Sequence, residues 1–137
     1  MHIPGIKYKH SCFLCSIDRE HLVKSASMYS VKVNPKPFNN GHIIIISNEH
    51  KPLMALSQEE LYAMLKETAT MMRALRHIYN PQGFNVGIMN KPHAAIHVIP
   101  RWSGDVSFVT VVFGAKPIPE LPSRTRDALI HELGGNQ

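Results

Sequence analysis

The stretch GHIIIIS at residues 41–47 constrains the fold more than any other part of the sequence. Four consecutive isoleucines bounded by turn-forming residues are typical of a buried strand. Residues 28–33, MYSVKV, alternate well enough to predict a second strand. The connection between them, NPKPFNNG at 34–41, is rich in proline, asparagine and glycine. We therefore expect a shaped loop that joins two antiparallel strands.

A long helix is predicted after these strands. Ser57 and Glu60 have the spacing of a capping box, which marks a helix N-terminus. Side chains suited to a buried face then recur at helical spacing until NPQG at 80–83: Leu61, Met64, Leu65, Thr68, Met71, Met72 and Leu75. A weaker helical pattern covers about 122–133. We expect the long helix to pack one face on a sheet.

Three more strands complete the predicted sheet. GFNVGIM at 83–89 and HAAIHVIP at 93–100 are separated by a short turn at 90–92, and SFVTVVF occupies 107–113. Strands gathered around one long helix indicate an α+β fold. The prediction is an antiparallel sheet of about five strands, with one long helix and a shorter C-terminal helix.

Length and hydropathy indicate a single domain. A chain of 137 residues with 44% hydrophobic and 18% charged residues is in the globular range, and we expect one domain over 1–137. No apolar stretch approaches the roughly 20 residues that span a bilayer. The first ten residues, MHIPGIKYKH, lack the features of a signal peptide, so we expect a cytoplasmic protein with reduced cysteines.

The net charge of +5 favours a polyanionic partner, either a nucleotide or a nucleic acid. Lysines and arginines are nevertheless scattered along the chain, without a basic tract or a stripe of aromatic and basic residues. This distribution argues against a nucleic-acid groove reader.

Two histidines share one side of the strand at 93–100. Residues two apart in a strand lie on the same face, so His93, Ala95 and His97 point one way. Ile96 and Val98 would then face the core, which leaves both imidazoles on the open face. The alternative is that one histidine is structural and the other incidental, as lone histidines often are.

The residues around these histidines resemble a known family. VNPKPFNNGHIIII, GFNVGI and HAAIHVIPRWSGDVSF follow one another as in the histidine-triad family of nucleotide-binding hydrolases and transferases. Its signature is His-x-His-x-His followed by apolar residues, and the resemblance covers nearly the whole chain, from CFLC to KPIPEL. HVIPRWSGDVSF and VTVVFGAKPIPEL are most similar to the branch that cleaves dinucleoside polyphosphates such as diadenosine tetraphosphate.

This resemblance implies a histidine-triad fold and an adenine nucleotide or dinucleoside polyphosphate as partner. It also implies cleavage at the α-phosphate by hydrolysis or phosphorolysis, and a homodimer formed through the long helix and a strand.

The central position of the triad departs from the family. The middle histidine of the family is the nucleophile that attacks the α-phosphate, and that position is Ala95 here. A methyl group has no lone pair with which to displace a leaving phosphate, so we expect a nearly inactive chain. Ala95→His would restore the row as HAHIH. The sequence leaves open whether Ala95 is an engineered substitution or a natural loss.

Other site residues are implied by position in the family. Asn34 matches a residue that hydrogen-bonds ribose, His42 one that lines the cleft, and His97 the third triad histidine, which touches phosphate. Phe38 and Ile44 would form an apolar wall for the base. An alternative for Asn34 is a turn-forming residue before proline.

The loop before the triad is shorter than in relatives, where it is glycine-rich and donates N–H groups to phosphate. Either Asn90 and Lys91 replace those donors, or a segment is missing from this loop. Beyond the strand, Arg101 is expected to pair with phosphate and Trp102 to pack over the cleft or a partner subunit.

Cys12 and Cys15 have the spacing of metal ligands. By resemblance, His50 would be the third ligand and His93 the fourth, which makes a closed structural zinc site. The alternative is a pair of reduced, half-buried thiols.

Three functions therefore stand at this stage: a histidine-triad enzyme scaffold without its nucleophile, a nucleotide-binding module that performs no chemistry, and a zinc-stabilised interaction protein that binds nucleic acid through its positive charge.

Overall fold

The computed structural model describes residues 12–88, 92–105 and 120–135. The strands in these ranges are β1 (Leu22–Ser25), β2 (Tyr29–Val33), β3 (Ile43–Ser47), β4 (Gly83–Ile88) and β5 (Ala95–Arg101). The α-helices are α1 (Gln58–Tyr79) and α2 (Pro122–Gly135), and short 3-10 helices occupy Leu14–Ser16, Arg19–His21 and Leu53–Ala55. The predicted α+β fold, with one long and one shorter C-terminal helix, is confirmed.

The strands form one antiparallel sheet in the order β1-β2-β3-β5-β4. The isoleucine strand β3 is central, and every one of its residues is buried. Sequence reasoning missed β1 because it has only four residues, of which two are apolar, and its pairing depends on β2. The predicted strand at 107–113 and most of the predicted turn at 90–92 lie outside the described residues.

Helix α1 has both of the ends that its sequence predicts. The Ser57 hydroxyl accepts a hydrogen bond from the Glu60 N–H, and the Glu60 carboxylate accepts one from the Ser57 N–H. Asn80 ends the helix in a left-handed conformation, with φ 47°. The buried core between α1, α2 and the sheet includes Val31, Val33, Ile43, Ile45, Met64, Met71, Leu75, Ile96, Val98 and Leu129.

Gly41 lies where the loop after β2 meets both α1 and β5. Its φ is +82°, and an added Cβ would lie 2.9 Å from Pro100 Cγ and 3.2 Å from side-chain atoms of Leu75 and Tyr79. Both the backbone conformation and the lack of space require glycine. A glycine at this position therefore allows the loop 34–41 to approach α1 and β5 closely.

Helix α2 is anchored to the same loop. The Glu120 N–H donates to Asn40 Oδ1 at 2.6 Å, and the Tyr79 hydroxyl donates to the Glu120 carboxylate. Leu129 of α2 is fully buried in the main core. Among the helices that the structure describes, none has the length and apolar character to cross a membrane.

Candidate functional site

The sheet has two faces with different roles. Ala94, Ile96 and Val98 belong to the main core, so their face contacts α1. On the opposite face, which we call the site face, His97 lies across from Ile44 and Ala95 from Ile46. The predicted alternation along the histidine strand is therefore confirmed.

His42 and His97 form a hydrogen-bonded pair on the site face. His42 Nε2 lies 3.0 Å from His97 Nδ1, and the Phe38 N–H donates to His42 Nδ1 at 2.9 Å. His42 is only 5% exposed. Burial, and secondarily the charge of His97, lowers the pKa of His42 to about 4, so this imidazole is neutral at pH 7.

This hydrogen-bond order fixes where the ring protons lie. A neutral His42 that accepts at Nδ1 carries its proton on Nε2, and it donates that proton to His97 Nδ1. Neutral His97 then carries its own proton on Nε2. In this arrangement the outer imidazole of the pair has its ring N–H at Nε2.

Asn34 is buried beside this pair. Its Oδ1 accepts from the Lys36 N–H at 2.9 Å, which is a side-chain-stabilised turn, and its Nδ2 lies 3.4 Å from His42 Nε2. The turn-forming alternative therefore has a hydrogen bond to support it. The amide nitrogen still faces the histidine pair, where a ligand hydroxyl would meet it.

The proposed apolar wall for a base consists of one residue rather than two. Phe38 is 41% exposed and can offer ring surface to a ligand. Ile44 is 0% exposed, so the expectation that it contacts the base is wrong. It is buried because it packs in a second apolar cluster with Ile17 and Ile46, partly covered by Leu14.

Ala95 is part of the same second cluster and is only 4% exposed. His93 is 5% exposed, so the prediction that it lies on an open face is wrong. Both are covered because the N-terminal segment, residues 12–21, lies against this end of the site face; Lys32 Nζ donates to Ile17 O at 2.9 Å and holds it there. Of the three positions 93, 95 and 97, His97 alone is partly exposed.

Cys12, Cys15, His50 and His93 come together at this end, with ligand atoms all within 4.8 Å of one another. Cys15 Sγ lies 3.1 Å from His50 Nδ1 and 3.4 Å from His93 Nδ1, and Cys12 Sγ lies 3.5 Å from His93 Nδ1. A tetrahedral zinc ion places its sulfur and nitrogen ligands roughly 3.4–3.8 Å apart. Two of these distances lie within that range and the third is shorter, so the four donors are close enough together to surround a metal ion.

The surroundings of His93 also suit a metal ligand. Its Nε2 lies 2.8 Å from the carbonyl oxygen of Ser47, to which it donates, and this leaves Nδ1 unprotonated and directed at the thiols. Burial is the main cause that lowers the pKa of His93, which favours the neutral form that metals bind. These four residues could hold a metal ion.

Arg101 and Trp102 both have partners within the chain. The guanidinium of Arg101 forms a bidentate ion pair with Asp105, at 2.6 and 2.8 Å, and this carboxylate raises the pKa of Arg101. Trp102 packs edge-on against Tyr79, with ring centroids 6.4 Å apart. Asp105 was not predicted from sequence, although RWSGD places it four residues after the arginine. Asn90 and Lys91 lie outside the described residues.

The sequence is similar to that of a curated protein. No protein-family model matches the sequence. The AP-4-A phosphorylase of Mycobacterium tuberculosis is 34% identical over 129 residues. The alignment covers 84% of this chain and 64% of the phosphorylase, so the chain spans just under two thirds of that relative.

Solved structures share the fold at lower identity. The diadenosine triphosphate hydrolase of Plasmodium falciparum gives a TM-score of 0.69 at 19% identity, covering 87% of this chain and 80% of the hydrolase. A Zn-bound histidine triad family protein from Mycobacterium smegmatis gives 0.64 at 22% identity, covering 85% and 87%. The shared fold and the sequence relationship together identify the chain as a member of the histidine-triad family.

Proposed function

We propose that the chain binds an adenine nucleotide or a dinucleoside polyphosphate of the diadenosine tetraphosphate type on its site face and does not cleave it. The observation that carries the proposal is the hydrogen-bonded His42–His97 pair at 3.0 Å, in which the partly exposed His97 lies on the same face as Ala95. The relationship to an AP-4-A phosphorylase supports the substrate class.

Each residue of the site has a separate task in this proposal. His97 donates its Nε2 proton to a phosphate oxygen, and His42 holds His97 in that tautomer. Asn34 Nδ2 donates to a ribose hydroxyl, since the His42 proton beside it is already given to His97. Phe38 offers its exposed ring to the base. Asn90 is also proposed to bind phosphate, because it lies in the loop before the histidine strand in the sequence.

The absence of cleavage follows from position 95. The family reaction needs an imidazole lone pair that attacks the α-phosphate and expels the rest of the polyphosphate. The Ala95 methyl cannot form that bond, and His97 alone can only bind the anion. The alternative proposal is a zinc-stabilised nucleotide-binding module that never performed this reaction.

The first prediction concerns Ala95→His. We expect the chain with Ala95 to bind diadenosine tetraphosphate in calorimetry while turning it over at the background rate. The histidine variant should cleave it roughly 10³-fold faster or more, because the nucleophile is restored. Product analysis with and without inorganic phosphate would separate phosphorolysis from hydrolysis.

Ala95→Gln is the matched control, since it adds a side chain of similar size without a nucleophilic nitrogen, and it should remain inactive. Melting curves check that Leu14 and Ile17 accommodate the larger residue. Binding without rescue would favour the module that never performed the reaction. Failure of the natural chain to bind either AMP or diadenosine tetraphosphate would contradict the proposed function itself.

We also propose zinc as the ion held by Cys12, Cys15, His50 and His93, because two thiolates and two imidazoles with this spacing suit its tetrahedral preference. The role of the ion is structural, since four protein ligands leave no position for substrate.

Finally, we propose that residues 1–137 form one domain that assembles as a homodimer through α1 and β4. All five described strands belong to one sheet, in which β4 is an edge.

Val86 and Ile88 of β4 are 46% and 43% exposed, and Leu65 of α1 is 56% exposed. Val86 and Ile88 pair with Val98 and Ile96, so they lie on the same side of the sheet as α1. An exposed apolar edge of this kind favours a protein contact.

A further inference from the structure

The Arg101 guanidinium is held by hydrogen bonds to two side chains of its own chain. Besides the bidentate pair with Asp105, its Nη1 donates to Asn85 Oδ1 at 2.5 Å. Asp105 itself is only 9% exposed, so the ion pair is partly shielded from solvent. A guanidinium held at three nitrogens has little freedom to turn toward a phosphate.

The same guanidinium lies over Phe38. Its central carbon is 5.2 Å from the ring centroid, a distance typical of a cation–π contact. The ring remains 41% exposed, so it also presents surface to solvent. Because the Phe38 N–H is bonded to His42, the ring is held beside the histidine pair at both backbone and side chain.

Asp105 also fixes the loop that carries this ring. Asn39, the next residue after Phe38, donates from Nδ2 to Asp105 Oδ2 at 3.3 Å and to Pro100 O at 3.1 Å. The Trp102 N–H donates to the same carboxylate oxygen at 3.2 Å. One carboxylate therefore connects the end of β5, the segment after it and the loop 34–41.

We propose that Arg101 is a positioning residue: together with Asp105 it braces Phe38 as a platform on which the base of a bound nucleotide stacks, and it does not bind phosphate. This inference rests on the proposed function and deepens it, because it assigns the base contact and its support. A ring that is already held loses little conformational freedom when a base stacks on it. Lysine cannot reproduce the brace, since it lacks the planar fork that contacts Asp105, Asn85 and the ring together.

The experiment compares AMP with ribose 5-phosphate, which has the same phosphate and sugar but no base. For Arg101→Lys we expect about a 10-fold loss of AMP affinity, within the range of one base–aromatic contact. Affinity for ribose 5-phosphate should change less than about twofold. Equal losses for both ligands, or no loss of AMP affinity, would overturn the inference.

Asp105→Asn is a second test, for which the two possible roles of Arg101 predict opposite changes in affinity. It removes the brace and frees the Arg101 charge, so AMP affinity should again fall selectively. If Arg101 were a phosphate ligand, releasing it from its carboxylate would instead strengthen the binding of both ligands. Either variant suffices if the other fails to fold, as judged by its melting curve.

Coupling to Phe38 distinguishes positioning from general destabilisation. Phe38→Leu should lose AMP affinity selectively, Phe38→Tyr should retain it, and adding Arg101→Lys to Phe38→Leu should cause no further loss. Independent, additive losses would refute the brace. If the unsubstituted chain binds neither ligand, the proposed function has failed. If it binds AMP but the variants do not lose AMP affinity selectively, only this inference is rejected.

Discussion

A single imidazole, His42, decides how the histidine pair is protonated. It lies between Asn34, the Phe38 N–H and His97. Burial, and secondarily His97, keeps it neutral, and the hydrogen bond from Phe38 leaves its proton directed at His97. The donor that we assign to phosphate binding is therefore set by a residue that need not touch the phosphate. The hydrogen-bonded pair should therefore be disrupted at acid pH, where His42 becomes protonated.

The second prediction follows from this pKa. The pKa of His42 falls from its ordinary value of 6.5 to about 4, mainly through burial, so the unfolded chain binds this proton more tightly than the folded chain. The stability that depends on neutral His42 is complete above pH 6.5 and is lost as the pH falls toward 4. The full loss corresponds to about 3 kcal/mol. Urea unfolding measured across that window should detect it.

His42→Asn should remove this part of the pH dependence. His131→Asn, at an exposed position of α2, is the matched control and should leave the curve unchanged. If the free energy of unfolding depends on pH in the same way for the unsubstituted chain and for His42→Asn, the pH dependence does not come from His42.

Among the elements, the short N-terminal segment, residues 12–21, contributes to both the metal cluster and the packing around Ala95. It has only short 3-10 turns of its own, yet it supplies both thiols of the metal cluster and the side chains that pack with Ala95. Lys32 holds it through one hydrogen bond to Ile17, and burial lowers the pKa of that lysine. A metal ion would add a cross-link between this segment, the residues after β3 and the start of β5.

The third prediction is that chelation weakens this chain. Zinc present at about a thousand times its Kd contributes about 4 kcal/mol, or roughly 10 °C in Tm for a domain of this size. We expect one zinc per chain by metal analysis, and a Tm loss of that order after chelation or in Cys15→Ser. Ser16→Ala alters a neighbouring exposed residue without a ligand atom and should retain the metal. Protein that contains no zinc and melts unchanged in chelator would refute the site.

At the scale of the whole molecule, the surface is asymmetric. The site face bears polar and imidazole groups, whereas Val86, Ile88 and Leu65 expose apolar area on the helix side of the sheet edge. An exposed edge strand with apolar side chains is usually covered in the assembled protein. A second copy of the chain is the cover that we propose.

The fourth prediction tests this assembly. Light scattering should give twice the chain mass of 15.4 kDa, and Ile88→Lys should reduce it to one chain mass at the same concentration, because a buried lysine has no partner there. Leu121→Lys, which alters another exposed leucine near the start of α2, should remain dimeric. If light scattering gives one chain mass for the unsubstituted chain at all concentrations, the proposed interface is excluded.

Local patterns predicted most of this architecture. The isoleucine run, the capping box of α1 and the alternation around Ala95 are signals contained in a few neighbouring residues, and each matches the structure. Features that depend on distant residues were not predictable in this way. Strand β1 exists only because β2 pairs with it, and His93 is buried only because a segment 78 residues away folds over it.

The candidate site divides in the same manner. Family resemblance identified the positions of Asn34, His42 and His97, and the structure brings them together. It did not predict that Arg101 faces Asp105, since a lone arginine carries no signal of its partner. Nor did it predict that Ile44 is too buried to contact a base, although the isoleucine run itself predicts a buried strand.

Gly41 has a consequence for how such a site can diversify. Because this residue is wedged between the helix and the last described strand with no room for a side chain, the loop before it is fastened at a fixed point of the scaffold. We expect that the preference of the proposed site for a ligand can be changed by exchanging residues 35–38, such as Phe38, because Asn39 and Asn40 hold the loop to Pro100, Asp105 and Glu120. Selection for a new ligand would then act on those four positions while leaving the glycine unchanged.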